Sequence, residues 1–302
     1  MQTNLEAIRS SFQASLHTIA MSPSAIQRRL RAANMSNQAL DNDLLKALVP
    51  SAFAEDKHSS RSARYAYIPT SAVIEGMRQN GFVPTFAAQS RSRDESKIEH
   101  TKHMIRFRQA DAKPQLGGLY PEIALINSHD GTSAYQLYSG IFRLVCLNGL
   151  MTGESYEALK VHHKDDPVNN VIEGSFSVIE DAKRALDSAQ DMRAITLGRE
   201  QQLAFATAAH GLRFGDDSGI GQAISPSQLL SVRRSGDTGN DLFTVFNRVQ
   251  EGMIKGGIRA TVRSDDGSRR NVSTREVKGI GQVTALNRAL WTLTEAMQKL
   301  AA

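Results

Sequence analysis

Lys102-His103-Met104-Ile105-Arg106-Phe107-Arg108 constrains the fold more than any other segment, because its residue character alternates with a period of two. Successive side chains of a strand point to opposite sides, so His103, Ile105 and Phe107 share one face. Lys102, Met104, Arg106 and Arg108 share the other. One face is mostly apolar and the other is basic. A helix would scatter these residues around its axis, whereas a strand sorts them. Such a strand needs a sheet with its apolar face covered, and the flanking sequence offers both strands and helices for that purpose.

Phe82 to Gln89 reads as extended, and Glu122 to Asn127 as a further strand. Ser128-His129-Asp130-Gly131 has the chemistry of a tight hairpin turn, since Asp-Gly supplies positive φ. Ser133 to Tyr138 is the returning strand. The apolar run over 140–150 fits either a buried strand or a buried helix. Leu5, Ile8, Phe12, Leu16 and Ile19 recur at helical spacing, and Ser22-Pro23 opens a second helix. Residues 50–62 are small, polar and charged, as in a linker or mobile loop. Ser71 to Gln79 reads as a helix ended by Asn80-Gly81. Further helices fall at roughly 171–191, 194–213, 226–233 and 241–255. The last of these has Asn240 or Asp241 as cap and Gly256-Gly257 as stop. A second hairpin spans Ile258 to Val277, turning at Asp265-Asp266-Gly267, and a final helix covers about 282–300.

The expected fold class is α+β: a central, mainly antiparallel sheet flanked by helices, with a helical N-terminal segment and a largely helical C-terminal half. Residues 1–50 form the N-terminal segment and 63–302 the core domain. Within that core, 63–150 is rich in sheet, 165–257 is rich in helix, and 258–302 holds the basic hairpin and final helix. The single cysteine excludes an internal disulfide and fits a reducing compartment. No apolar run approaches the ~20 residues of a membrane span. Met1-Gln2-Thr3-Asn4-Leu5-Glu6 lacks the pattern of a secretory signal, so a cytoplasmic protein is expected, with no membrane partner.

The chain carries 36 Lys+Arg against 31 Asp+Glu, a formal net charge of +5. Position matters more than this sum. Lys102, Arg106 and Arg108 share a strand face, and Arg259, Arg263, Arg269, Arg270, Arg275 and Lys278 crowd the second hairpin. Guanidinium groups at this density suit polyphosphate, through paired hydrogen bonds to phosphate oxygens. Tyr65, Tyr67, Tyr135 and Tyr138 lie near in sequence, Tyr135 and Tyr138 being the candidates for stacking on bases. The same pattern also fits a solvated strand face, where charge blocks edge-to-edge aggregation.

A metal or acid/base site is a weaker reading. His100, His103, His129, Asp130, His162, His163, Asp165 and Asp166 include suitable ligand types, but no His-Glu-x-x-His or Cys-x-x-Cys spacing joins them. Cys146 sits in Leu144-Val145-Cys146-Leu147, an apolar setting that makes a thiol inert. Gly215-Asp216-Asp217-Ser218-Gly219-Ile220-Gly221 carries acidic residues that repel phosphate, so it reads as a connection. No catalytic residue, metal or cofactor is assigned. In the Asn127-to-Gly131 pentad, Asn127 and Asp130 can tie the turn through side-chain-to-backbone bonds, and His129 can close it. Arg143, inside an apolar run, needs a partner, either Asp130 or Asn148 with backbone carbonyls. The motif therefore reads as a structural lock.

Asn127-Ser128-His129-Asp130-Gly131, followed by Phe142-Arg143-Leu144-Val145-Cys146-x-Asn148-Gly149, resembles the signature of a phage- and plasmid-associated family known only as a domain of unknown function. Val277-Lys278-Gly279-Ile280 with Asn287-Arg288-Ala289-Leu290-Trp291 is similar to that family's closing motif. The resemblance runs from about Tyr65 to Leu300 and implies a mobile-element setting. In that setting the leading expectation is a sequence-nonspecific DNA-binding protein that prefers single strands, with annealing as a candidate role. Self-assembly into a homo-oligomer, such as a ring or filament, is a corollary. A counter-defence protein that binds a host protein is the alternative, and a metal-dependent hydrolase using His129 and Asp130 is a third.

Overall fold

A computed structural model describes residues 21–36, 38–60, 67–116, 118–143, 149–151, 159–161, 167–215, 219–263 and 267–301. The architecture is α+β. Strands β1 (Phe82–Gln89), β2 (His103–Gln109), β3 (Leu119–Asn127) and β4 (Tyr135–Arg143) form an antiparallel sheet in sequence order. Two short strands, β5 (Gly149–Met151) and β6 (Leu159–Val161), pair with the two ends of β4. The alternation around residue 105 is thus a strand, as its pattern requires.

The His103/Ile105/Phe107 face meets Ile123, Leu125 and Leu137 from the neighbouring strands. Helices α1 (Pro23–Ser36), α2 (Asn42–Leu48) and α3 (Thr70–Gln79) join this core, with Leu30, Leu44, Leu45, Val73, Ile74 and Met77 buried in it. Residues 23–48 are therefore continuous with the sheet's core. Asp41 caps α2 by accepting from Leu44 N at 2.8 Å, and Leu40 N donates to Pro84 O of β1 at 2.8 Å. Pro50–Phe53, expected as the start of a linker, is instead a 3-10 turn with Ser51 and Ala52 fully buried. A small polar sequence can be core when a neighbour satisfies its hydroxyl, and here His103 does so.

Helix α4 (Pro167–Ala194) is 28 residues long, roughly 42 Å at 1.5 Å per residue. That length lets it serve two cores. Val171, Val178 and Ala182 pack with the sheet, while Ala185, Ala189 and Met192 pack with α5 (Arg199–Phe214), α6 (Leu242–Lys255) and α7 (Ile280–Ala301). In the second core Phe246 meets Trp291 edge-on at 5.8 Å. Asp241 caps α6 by accepting from Thr244 N at 2.9 Å. The stretch expected as a helix over 226–233 is a 3-10 turn, Pro226–Leu230.

Two departures from simple strand reading matter for the site. The β1–β2 register passes from Pro84↔Phe107 to Phe86↔Arg106, so Thr85 forms a β-bulge. The extra residue reverses the alternation: Phe82 belongs to the helix-covered core, while Phe86 and Ala88 lie across from Arg106 and Met104 on the opposite face. Second, β3 and β4 are joined by the longer connection 128–134 and not by a tight turn. Ser128 and His129 within it are buried, which is why a tight-turn reading fails.

The second hairpin stands apart from the main sheet. Among the described residues, β7 (Arg259–Arg263) and β8 (Arg269–Ser273) pair only with each other, in the register Arg259↔Ser273 to Arg263↔Arg269. Gly267 at φ 80° supplies the positive φ that its turn needs.

Candidate nucleic-acid interface

The basic face expected on β2 is not open to solvent. Arg106 and Arg108 are only 6% and 3% exposed. The Arg106 guanidinium lies between two rings, 4.4 Å from the Phe86 centroid and 4.1 Å from that of Phe142, and Arg108 covers Tyr120 at 4.5 Å. Glu122 on β3 places Oε2 3.4 Å from Arg106 Nε. Burial pushes the Glu122 carboxyl up and the Arg106 guanidinium down, each against the attraction of the other. The alternation located these arginines on one face correctly. It could not show that the bulge at Thr85 brings Phe86 across to cover Arg106, nor that β4 supplies Phe142. Both side chains are therefore structural, and the expectation that they contact phosphate is corrected. Lys102 precedes β2 and is half-buried.

Tyr135 and Tyr138 part company in the same way. Tyr135 is fully buried, donating to Ile68 O at 3.0 Å, so it offers no ring to a base. Tyr138 is half-buried, its hydroxyl bonded to Gln136 Oε1 at 2.7 Å, with the Arg288 guanidinium 5.8 Å from its ring. Burial pushes its phenol up.

The hairpin gives the opposite result. Arg259, Arg263, Arg269, Arg270, Arg275 and Lys278 are all exposed. Residues opposite one another in an antiparallel pair share a face, so Arg259, Thr261, Arg263, Arg269, Asn271 and Ser273 form one fully exposed polar face. Ala260, Val262 and Val272 occupy the other, half-buried face together with Arg270. Thr261 Oγ1 donates to Asn271 Oδ1 at 3.0 Å. Among the described residues, none of these six cations has an ion-pair partner, and β7 and β8 contain no acidic residue. Glu276, the nearest acid in the strap that follows, is paired with Lys255 at 3.1 Å.

The pentad belongs to a buried polar network. Thr70, at the start of α3, is its hub: its hydroxyl lies 3.0 Å from His103 Nε2, 3.2 Å from His129 Nε2 and 3.2 Å from Asn127 Nδ2. The hydroxyl holds one proton and two lone pairs. Donation to His103 Nε2, with acceptance from Asn127 and His129, uses all three, and the Tyr135 hydroxyl, 3.3 Å from that of Thr70, gives its own proton to Ile68 O. His103 Nδ1 then donates to Thr101 O at 3.2 Å, with Ser51 Oγ 2.9 Å away. Burial pushes the His103 imidazole down to about 4, against the bond to Thr101 and the charge of Asp130. Asp130 turns elsewhere, accepting from Thr132 N at 2.9 Å and Thr132 Oγ1 at 2.6 Å. Burial opposes its charge, but the bonds from Thr132 and Ser128 prevail and hold the carboxyl below its ordinary range. Gly131 adopts φ 79° within this loop.

An Asp130–Arg143 lock is excluded by topology. Arg143 pairs with Leu119 at the far end of β4, as the last of the strand's nine residues, whereas Asp130 lies beyond the opposite end. Asn148, Cys146, His162, His163, Asp165 and Asp166 fall outside the described residues, as does Tyr65. Among the described residues no group of three His, Cys, Asp or Glu side chains can hold a metal ion. Among them, too, no helix is long and apolar enough to cross a membrane. Thr70, Ser51 and Phe86 are the structural partners that sequence reading missed. Each acts across distant segments, and only the bulge at Thr85 would have directed attention to Phe86.

The family described as "Domain of unknown function (DUF932)" matches residues 57–291. The chain is also similar to two Escherichia coli (strain K12) proteins, UPF0380 protein YafZ and UPF0380 protein YfjQ. Each is 45% identical over 272 residues, covering 89% of this chain and 96% of the relative. No solved structure matches the chain. With the profile spanning most of the chain and both relatives covered almost end to end, the chain belongs to the DUF932 family.

Proposed function

We propose that this protein binds nucleic acid without sequence specificity, preferring single strands, through the outer face of the β7–β8 hairpin. One observation carries the reading: Arg259, Arg263 and Arg269 share an exposed face, with Arg263 directly opposite Arg269 and no ion-pair partner among the described residues. Like charges across a ribbon repel, and a bound polyanion removes that cost. Phosphate is the anion that suits paired guanidinium donors. The polar groups beside the arginines favour nonspecific contact, since Thr261 and Asn271 are bonded to each other.

Fluorescence anisotropy of a labelled single-stranded oligonucleotide at low salt tests this. Saturable binding is expected, with a duplex of equal length competing less well. Absence of binding at low salt contradicts the proposal, as does full binding by the Arg259→Ala/Arg263→Ala/Arg269→Ala variant.

A further inference from the structure

Beside the foot of the hairpin is a cavity of about 240 Å³, walled mainly by Phe86, Ala88, Met104, Ile280 and Val283. We propose that it receives one unstacked nucleobase of the strand that the hairpin holds. This rests on the nucleic-acid reading above and adds a second contact chemistry to it.

Three observations lead to a base. First, the bulge at Thr85 is what brings Phe86 and Ala88 onto the cavity's side of β1; without the extra residue both would face the helix-covered core. Bulges that re-aim side chains are found near binding sites. Second, Phe86 is half-buried and braced by the Arg106 guanidinium at 4.4 Å, so an aromatic ring is held in place at the cavity wall. Stacking on such a ring tolerates any base, which suits nonspecific binding. Third, the cavity's rim is the strap that leaves the hairpin. Lys278 lines it, is exposed and has no ion-pair partner among the described residues, whereas Lys255 is held by Glu276. The strap is fixed by Val277 N donating to Ile254 O at 2.8 Å. Five residues beyond Ser273, at the end of β8, the strap brings Lys278 to the lip of this largely apolar slot. Phosphate on Lys278 and the base inside is the arrangement that matches this charge pattern.

The test compares a labelled oligothymidylate with an abasic deoxyribose-phosphate oligomer of the same length, which keeps the charges and lacks the bases. Wild type is expected to favour the base-bearing probe by on the order of tenfold, given typical base–aromatic stacking. Ala88→Phe and Val283→Phe fill the cavity from opposite walls. Each is expected to abolish the preference while leaving affinity for the abasic probe unchanged. Two such variants, each checked for a wild-type unfolding midpoint, guard against one that fails to fold, and the wild-type comparison needs neither. Equal affinity of wild type for the two probes overturns the base site while leaving the hairpin reading intact. A preference that survives both substitutions also overturns it. Binding of neither probe overturns the hairpin reading and the base site with it.

Discussion

Arg263 stands directly opposite Arg269 across the β7–β8 ribbon, and both side chains are exposed. Opposed residues of an antiparallel pair hold their Cβ atoms about 5 Å apart, so two guanidinium groups are presented together to solvent. The arrangement does little for the hairpin's own stability. It is well suited to an anion that can engage both.

Position on the ribbon should therefore matter more than charge. Arg270 lies next to Arg269 in sequence but on the half-buried face with Val262 and Val272. Arg263→Ala is expected to weaken oligonucleotide binding several-fold more than Arg270→Ala, although both remove one charge. Equal losses from the two variants in the same anisotropy titration would show that only net charge counts.

Arg106 is expected to behave as a core residue. Arg106→Ala removes the ion-pair partner of buried Glu122 and vacates the space between Phe86 and Phe142. A loss of about 3–5 kcal/mol is expected in denaturant unfolding, as for other broken buried pairs. The double replacement Arg106→Met/Glu122→Leu should be less destabilised than Arg106→Ala, because it refills the space between the rings and removes both charges of the pair, leaving Arg108 over Tyr120. A double variant as unstable as the single one would contradict this account of the pair.

The contrast between Arg106 and Arg263 shows how far the sequence could be read. In both hairpins the alternation placed the arginines on defined faces. What separates them is long-range: Arg106 is covered by Phe86 and Phe142 from β1 and β4, while among the described residues the β7–β8 ribbon has no third strand. Coverage is a property of tertiary packing, and period-two patterning does not encode it. Helices with strong stripes and caps, such as Leu242–Lys255, were legible because their signals are local. The Thr70 hub was not, since its partners lie 33 and 59 residues away.

The buried histidine gives a signature in pH. An imidazole with a folded pKa of about 4 and an ordinary value of 6.5 favours folding while it is neutral. Its contribution is complete above about pH 6.5 and is lost as the pH falls through about 4, amounting to roughly 3 kcal/mol. Unfolding free energies measured from pH 7 to 4 should fall more steeply for wild type than for His103→Gln. Parallel curves would show that His103 is not held neutral by burial.

Gly256 fixes the hairpin's base. It ends α6 at φ 65°, and a Cβ there would lie 2.6 Å from the Arg275 carbonyl carbon and oxygen. Gly256→Ala is expected to cost at least about 1–3 kcal/mol from backbone strain and to dislodge the strap that leads to Lys278. Gly257→Ala shares the positive φ but has no atom within 4 Å of its Cβ, so it should cost less. Thermal unfolding of the two variants decides the order.

The central claim is tested most directly by the salt dependence of single-strand binding in wild type and in Arg259→Ala/Arg263→Ala/Arg269→Ala. Phosphate contacts release counterions, so log affinity falls linearly with log salt, with a slope of about −0.7 for each phosphate neutralised on a single strand. Removing the three arginines should make the slope shallower by about 2 and lower the affinity at every salt concentration. An unchanged slope in the variant, or wild-type affinity indifferent to salt, would contradict the hairpin as the nucleic-acid interface.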